Sequence, residues 1–293
     1  MKPDSKLKEI VKERYAQIAE QGKAANEASC CGATTTSNKV YSIMMDDYSA
    51  VEGYVPDADL GLGCGLPTQF ARISKGDTVI DLGSGAGNDC FVARHETGPG
   101  GKVIGIDFTP AMISKARKNA EKLAYHNVEF REGDIDSMPV NDEVADVVVS
   151  NCVLNLVPNK AKVLSEIFRV LKPGGHFSIS DIVLVGELPN ALREDAEMYA
   201  GCVAGAIQKK DYLDQIKNSG FENILIQKIK PIAIPEDILS KYLTLHEISD
   251  FHTGNTGIFS ISVYGEKPGN KISFTKSESI ATVASDCSTG KCC

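Results

Sequence analysis

Short apolar runs recur through the middle of the chain, and each leads into a stretch of helical periodicity. That alternation predicts parallel strands joined by helices. Thr78-Val-Ile-Asp81 predicts the first strand and leads to a helix-like Cys90-Phe-Val-Ala-Arg94. Lys102 to Asp107 predicts the second strand, followed by a helix over Pro110 to Leu123 with proline in its first turn. Strands three and four fall at Val128 to Arg131 and Ala145 to Ser150, the latter as apolar as a buried parallel strand requires. A helix over Lys160 to Leu171 and the turn Pro173-Gly-Gly lead to strand five, His176 to Asp181. Ahead of this core, residues 4–21 place Leu7, Ile10, Val11 and Ile18 near one face of a helix. Asp4 or Ser5 can cap that helix and Gly22 can end it. It is expected to pack on the main domain, or to serve as a lid. Beyond the core, a helical stretch runs from Glu187 through Met198, then a helix over 211–219 and strands over Glu222 to Lys230 and Ile258 to Glu266. The pattern leaves open whether these last two strands complete the sheet or form a small cap.

The loop after strand one carries glycine at 83, 85 and 87, so the backbone can turn sharply and admit a ligand closely. A strand-to-helix loop lies at the carboxyl edge of a parallel sheet, where open α/β folds bind ligands. The spacing departs from the dinucleotide fingerprint, because the third glycine comes one position early and Asn88 holds its place. No Gly-Lys-Ser/Thr follows, which excludes a phosphate-binding P-loop. Asp81 precedes the loop and suits a cationic ligand better than a pyrophosphate. Asp107 ends strand two, twenty residues after Gly87, at the spacing where an acid can accept from ribose hydroxyls. Over residues 70–185, acid, glycine loop and second acid together resemble the S-adenosylmethionine site of Rossmann-like class I methyltransferases. The resemblance implies an α/β sheet with helices on both faces. It makes Asp81, Gly83, Gly85, Gly87, Asn88 and Asp107 cofactor-binding candidates. Gly133, Asp134 and Ile135, just past strand three, are expected near the adenine, and Met112 and Asn151 complete the set.

Composition narrows the class. The net charge of −8 argues against a nucleic-acid partner. No apolar run approaches the roughly 18 residues of a membrane span, and the N-terminus has no apolar signal core. A cytoplasmic protein, acting as a monomer without a membrane partner, is expected. The nine cysteines are the unusual feature. Their odd number in such a chain points away from a disulfide scaffold and toward metal or redox chemistry, although none has Cys-x-x-Cys spacing. Cys30, Cys31, Cys287, Cys292 and Cys293 lie in polar, small-residue segments and are expected to be exposed and reactive. Residues 23–40, around Cys30 and Cys31, predict a mobile loop. Cys64 sits in Gly61-Leu-Gly-Cys-Gly-Leu-Pro67, Cys152 just past strand four, and Cys202 among small residues. Cys90, in the helix after the glycine loop, is expected to pack without chemistry. None of the five histidines has ligand spacing.

Soft thiolates in number select soft ions. Trivalent arsenic binds three sulfurs in a trigonal pyramid, and the lone pair at its apex can attack a sulfonium methyl without a general base. The work left to the protein is coordination and positioning. Gly63-Cys-Gly-Leu-Pro, Asp81-Leu-Gly-Ser-Gly-Ala-Gly-Asn-Asp-Cys, Ser150-Asn-Cys-Val-Leu-Asn-Leu-Val-Pro and Gly201-Cys202 closely resemble arsenite methyltransferases over residues 40–270. The resemblance implies that Cys64, Cys152 and Cys202 bind As(III) and that S-adenosylmethionine donates the methyl group. It further implies that an N-terminal cysteine, Cys30 or Cys31, cycles with Cys64 as a disulfide, returned to thiols by a thioredoxin- or glutathione-type reductant. Arsenite and methylated arsenicals would be the substrates. The expected organisation is an N-terminal helix and Cys-bearing loop (1–60), a Rossmann-like core (61–185), a smaller α+β arsenic-binding or cap domain (186–268) and a disordered thiol tail (269–293). Three rivals keep parts of this pattern: a methyltransferase for an ordinary small molecule, a thiol-rich metalloid-binding protein without turnover, and, weakest, an NAD-linked oxidoreductase.

Overall fold

The computed structural model describes residues 4–20, 46–187, 205–233, 236–240, 243–253 and 257–269. Cys30, Cys31, Cys202, Cys287, Cys292 and Cys293, the helical stretch expected up to Met198 and the expected tail over 270–293 lie outside the described residues.

Seven strands form one sheet in the order β3-β2-β1-β4-β5-β7-β6. They are β1 (Thr78–Leu82), β2 (Lys102–Asp107), β3 (Val128–Glu132), β4 (Ala145–Asn151), β5 (Leu171–Val185), β6 (Glu222–Ile232) and β7 (Gly257–Glu266). β1 to β5 pair in parallel, and β7 inserts antiparallel between β5 and β6. The last two strands thus complete the sheet. β5 runs five residues earlier than its apolar core predicts, where Leu171 pairs with Ala145 of β4, and four later, where β7 pairs with it through Val185.

The described helices are α1 (Asp4–Glu20), α2 (Pro67–Phe70), α3 (Asn88–Thr97), α4 (Pro110–Lys122), α5 (Lys160–Val170), α6 (Lys209–Asn218), α7 (Glu236–Leu239) and α8 (Leu245–Thr253). Side-chain alternation along the strands sends residues to two apolar layers. Ile80, Leu82 and Val148 pack with Val163, Ile167 and Ile216 of α5 and α6. Val79, Val147 and Val149 pack on the other face with Phe91 of α3 and with Ile113 and Ala116 of α4. Burial of each such side chain contributes about 1.5–3 kcal/mol. Asn159 caps α5 by accepting the Lys162 amide at 3.0 Å.

α1 packs on the main domain. Ile18 and Ala19 meet Leu60, Ala86 and Met112, and Lys8 bridges Asp134 at 2.6 Å and Asp136 at 2.7 Å. This brings the helix to the carboxyl edge of the sheet, beside the glycine loop.

Candidate active site at the carboxyl edge of the sheet

The switch in strand order between β1 and β4 opens a cleft at the carboxyl edge. The glycine loop forms its floor. Gly83, Gly85 and Gly87 take φ of 68°, 51° and 101°, left-handed values that glycine adopts without strain. The Gly83 and Ser84 amides donate to the Ile106 carbonyl, which curls the loop over the end of β2. The cavity encloses about 830 Å³ of empty space, its open mouth included.

Its lining is acidic. Asp46, Asp59, Asp81, Asp89 and Asp107 face it, with no lysine or arginine among its described lining residues. Burial, followed by the charge of Asp89, pushes Asp81 well above the carboxylate range, with the Cys90 thiol donating to it at 3.2 Å. Burial pushes Asp89 up to about 6, against hydrogen bonds from Asn151 and Tyr48. Burial also raises Asp107, opposed by the Thr109 and Gly85 amides it accepts at 2.8 and 3.0 Å. Crowded, desolvated carboxylates of this kind favour a cationic ligand, whose charge relieves all three. Ser84 Oγ and Asn88 Oδ1 are buried on the same wall with no hydrogen-bond partner among the described residues, so the cavity also offers hydrogen bonds.

The opposite wall carries sulfur. Cys152 lines the cavity directly after β4, with φ at 62°, a conformation that costs a non-glycine residue about 1–2 kcal/mol. Its amide donates to the Ser180 carbonyl at 2.8 Å, which holds the turn. Cys152 packs in one apolar cluster with Cys64, Leu156, Ile182 and Ile258. Cys64 is fully buried, and neither thiol is in a disulfide. Both sit within electrostatic reach of Tyr212, whose hydroxyl is pushed well up by burial, then by Asp181, and further by the two sulfurs.

Asn151 joins the two walls. Its side-chain oxygen accepts the Cys64 amide at 3.0 Å and the Gly65 amide at 3.3 Å. Its nitrogen faces the Gly65 carbonyl at 2.8 Å, the Tyr48 hydroxyl at 2.6 Å and Asp89 at 3.2 Å. The glycines flanking Cys64 are steric requirements: a Cβ on Gly63 would lie 2.5 Å from Asn151 Nδ2, and one on Gly65 would lie 2.5 Å from Ser180.

Of the residues expected from sequence, the cavity gathers Asp81, Gly83, Gly85, Asn88, Asp107, Asn151 and Cys152. Gly87 and Met112 lie just behind the glycine loop, Gly87 against Phe91 and Phe130 and Met112 in the layer beneath α1. Gly133, Asp134 and Ile135 do not line the cavity: Lys8 engages the Asp134 carboxylate, and Ile135 packs into the core. Tyr48, Asp59 and Asp89 line it without having been anticipated. Asp89 had a sequence signal, an acid in the first helical turn after a glycine loop. Tyr48 had none, since it reaches the site from 41 residues before its partner Asp89.

A family model described as a methyltransferase domain matches residues 73–220. The arsenite methyltransferase of Halobacterium salinarum is 45% identical over 230 residues, which cover 75% of this chain and 58% of that protein. The arsenite methyltransferase of Aquipseudomonas alcaligenes is 32% identical over 244 residues, covering 81% of this chain and 68% of that one. The crystal structure of an arsenic(III) S-adenosylmethionine methyltransferase from Chlamydomonas reinhardtii superposes with a TM-score of 0.60 at 30% identity, over 82% of this chain and 76% of that chain. The chain therefore spans less than two thirds of the length of the first of these relatives. At 32% identity over more than two thirds of the Aquipseudomonas protein, the chain belongs to the arsenite methyltransferase family.

Proposed function

We propose that this protein transfers methyl groups from S-adenosylmethionine to As(III) held by its thiolates. The observation that carries the proposal is the position of Cys152: a buried thiol on the wall of a cavity whose charged described lining residues are all aspartates, in one cluster with Cys64. S-adenosylmethionine fits that cavity by charge, since its sulfonium and ammonium groups answer the aspartates. It fits by hydrogen bonding too, since Ser84 Oγ and Asn88 Oδ1 have no partner among the described residues. When bound, it supplies an electrophilic methyl group on a positively charged sulfur.

The residues of the chain divide the rest of the work. Asp107 holds the glycine loop by the Gly85 amide and is suited to the ribose. Asp81 and Asp89 favour the cation. Gly87, Met112, Gly133, Asp134 and Ile135 would support the loop and the adenine from behind. Cys64 and Cys152, with Cys202 as the third sulfur, would hold arsenic with its lone pair toward the methyl carbon. Attack forms the As–C bond and leaves the S–CH3 electron pair on the cofactor sulfur, so arsenic loses two electrons formally. Cys64 and either Cys30 or Cys31 return those two electrons as they close a disulfide. A thioredoxin- or glutathione-type reductant then reopens it. The proposed organisation keeps an N-terminal Cys-bearing segment (1–60), the core (61–185), an arsenic-binding segment (186–268) and a thiol tail (269–293). We further propose a cytoplasmic monomer with arsenite and methylated arsenicals as substrates. Among the described residues no helix is long and apolar enough to cross a membrane.

A turnover assay tests this. Arsenite, S-adenosylmethionine and excess thiol are mixed with the protein, and methylated arsenic is quantified beside S-adenosylhomocysteine, with Cys152→Ser in parallel. Both products from the parent and neither from the variant are expected. Tight arsenite binding with no product would favour a metalloid-binding protein instead. Full turnover by the variant on another acceptor would favour an ordinary small-molecule methyltransferase.

A further inference from the structure

Asn151 is adjacent to a proposed arsenic ligand, yet the proposed reaction assigns its side chain no step. Its hydrogen bonds are over-subscribed. The carboxamide nitrogen has two protons and three acceptors in reach: the Gly65 carbonyl, the Tyr48 oxygen and Asp89. Tyr48 compounds the shortage. Its single proton faces the Gly65 carbonyl at 3.1 Å and both Asp89 oxygens at 2.9 Å. The amide cannot hold the Cys64 loop through Gly65 and serve both Tyr48 and Asp89 at once.

One of these competitors belongs to the cavity. Asp89 and Asn151 both line it, so a cation bound there takes over hydrogen bonding to the Asp89 carboxylate. The amide protons then fall to Gly65 and Tyr48, and the loop bearing Cys64 is held by Asn151 on both sides. That loop has little room to settle elsewhere. Gly63 lies so close to Asn151 Nδ2 that even a Cβ would not fit, and Ser260 Oγ grips the Cys64 carbonyl at 2.6 Å.

We propose that Asn151 is a positioning residue through which a cationic ligand in the acid cavity tightens the hold on Cys64, coupling cofactor binding to thiol-site binding. The inference rests on the function proposed above and adds to it an order of assembly. The thiol site binds arsenic more tightly when the methyl donor is in place, which limits idle capture of arsenic. Coupling of this kind is reciprocal, so arsenic at the thiols tightens the cation by the same factor.

The test uses the full chain with sinefungin, an unreactive analogue that carries an amine in place of the sulfonium. Arsenite affinity is measured calorimetrically with and without it, in a phosphine reductant. In the parent, sinefungin should tighten arsenite by about fivefold or more, the lower range of ordinary allosteric coupling. In Asn151→Ala, sinefungin at saturation should change arsenite affinity by less than about twofold. Because that variant can also lose the loop outright, Tyr48→Phe is the sharper probe. With one acceptor gone, the two amide protons suffice for Gly65 and Asp89. Arsenite should then bind more tightly without sinefungin, and sinefungin should add little. An uncoupled parent, or parent-like coupling in both variants, overturns the inference while leaving the proposed function standing. A parent that binds no arsenite overturns both.

Discussion

Cys90 and Cys152 are buried to nearly the same degree, at 0% and 4% exposure, Cys90 in the apolar layer behind Asp81 and Cys152 on the cavity wall. Their neighbours give them opposite chemistry. Cys90 sits in the first turn of α3, its thiol donating to Asp81, and burial plus the charges of Asp81 and Asp89 push its pKa well up. It is held as a thiol and acts as a hydrogen-bond donor to a crowded carboxylate. Cys152 sits on a strained turn among apolar side chains, beside a second thiol and open to the cavity. One wall selects charge and the other selects softness. Burial alone would not have separated them.

The comparison breaks most decisively by removing each sulfur. Cys152→Ser should lower kcat for methylarsenic formation by about 100-fold or more, some 2.7 kcal/mol, while cofactor affinity stays within about threefold. Cys90→Ala should leave turnover within about threefold and lower only thermal stability, by about 1 kcal/mol. Parallel kinetics and melting curves check both.

The acid wall is tested next by Asp107→Ala, which removes the acceptor of the Gly85 and Thr109 amides. The KM for S-adenosylmethionine should rise by about 10- to 100-fold, the worth of one to two hydrogen bonds to a charged group, with a smaller change in arsenite affinity. Gly63→Ala attacks the other wall. Its Cβ must displace Asn151, so stability should drop by about 1–3 kcal/mol and arsenite binding should suffer more than cofactor binding, as paired titrations would report.

The smallest expected effect is on pH dependence. Asp89 titrates at about 6 in the ligand-free protein, above its unfolded value. It therefore binds protons more tightly when folded, and the stability it contributes at low pH is lost as pH rises from about 4 to about 6. Ligand affinity runs the other way. Protonation below pH 6 removes a negative charge from the cavity, so S-adenosylmethionine should weaken by up to about tenfold per unit on acidification. S-adenosylhomocysteine, which lacks the sulfonium, should respond less. Equal slopes for the two ligands would remove the charge argument.

Much of this was legible in the chain. The parallel core follows from apolar runs at Thr78, Lys102, Val128, Ala145 and His176, because buried parallel strands tolerate few polar residues. Asp81, the glycine loop and Asp107 were readable because their spacing is local. Cys64 and Cys152 were singled out by small neighbours and strand ends. What the chain concealed depends on distant partners. β7 joins the sheet by pairing with β5, and β6 by pairing with β7, which a period-two pattern cannot reveal. Tyr48 meets Asp89 and Asn151 across 41 and 103 positions, and Lys8 meets Asp134 across 126. Asn151 was expected to touch the cofactor, and it does line the cavity. Its grip on the Cys64 backbone depends on an approach between residues 87 positions apart.

The central claim is that the sulfur wall holds arsenic beside the acid wall. The most direct measurement is the X-ray absorption spectrum of arsenite bound to the full chain with sinefungin, for the parent and for Cys152→Ser. The account predicts an all-sulfur shell of three in the parent and the loss of one sulfur, replaced by oxygen, in the variant. An oxygen-coordinated arsenic in the parent, or an unchanged shell in the variant, would contradict it.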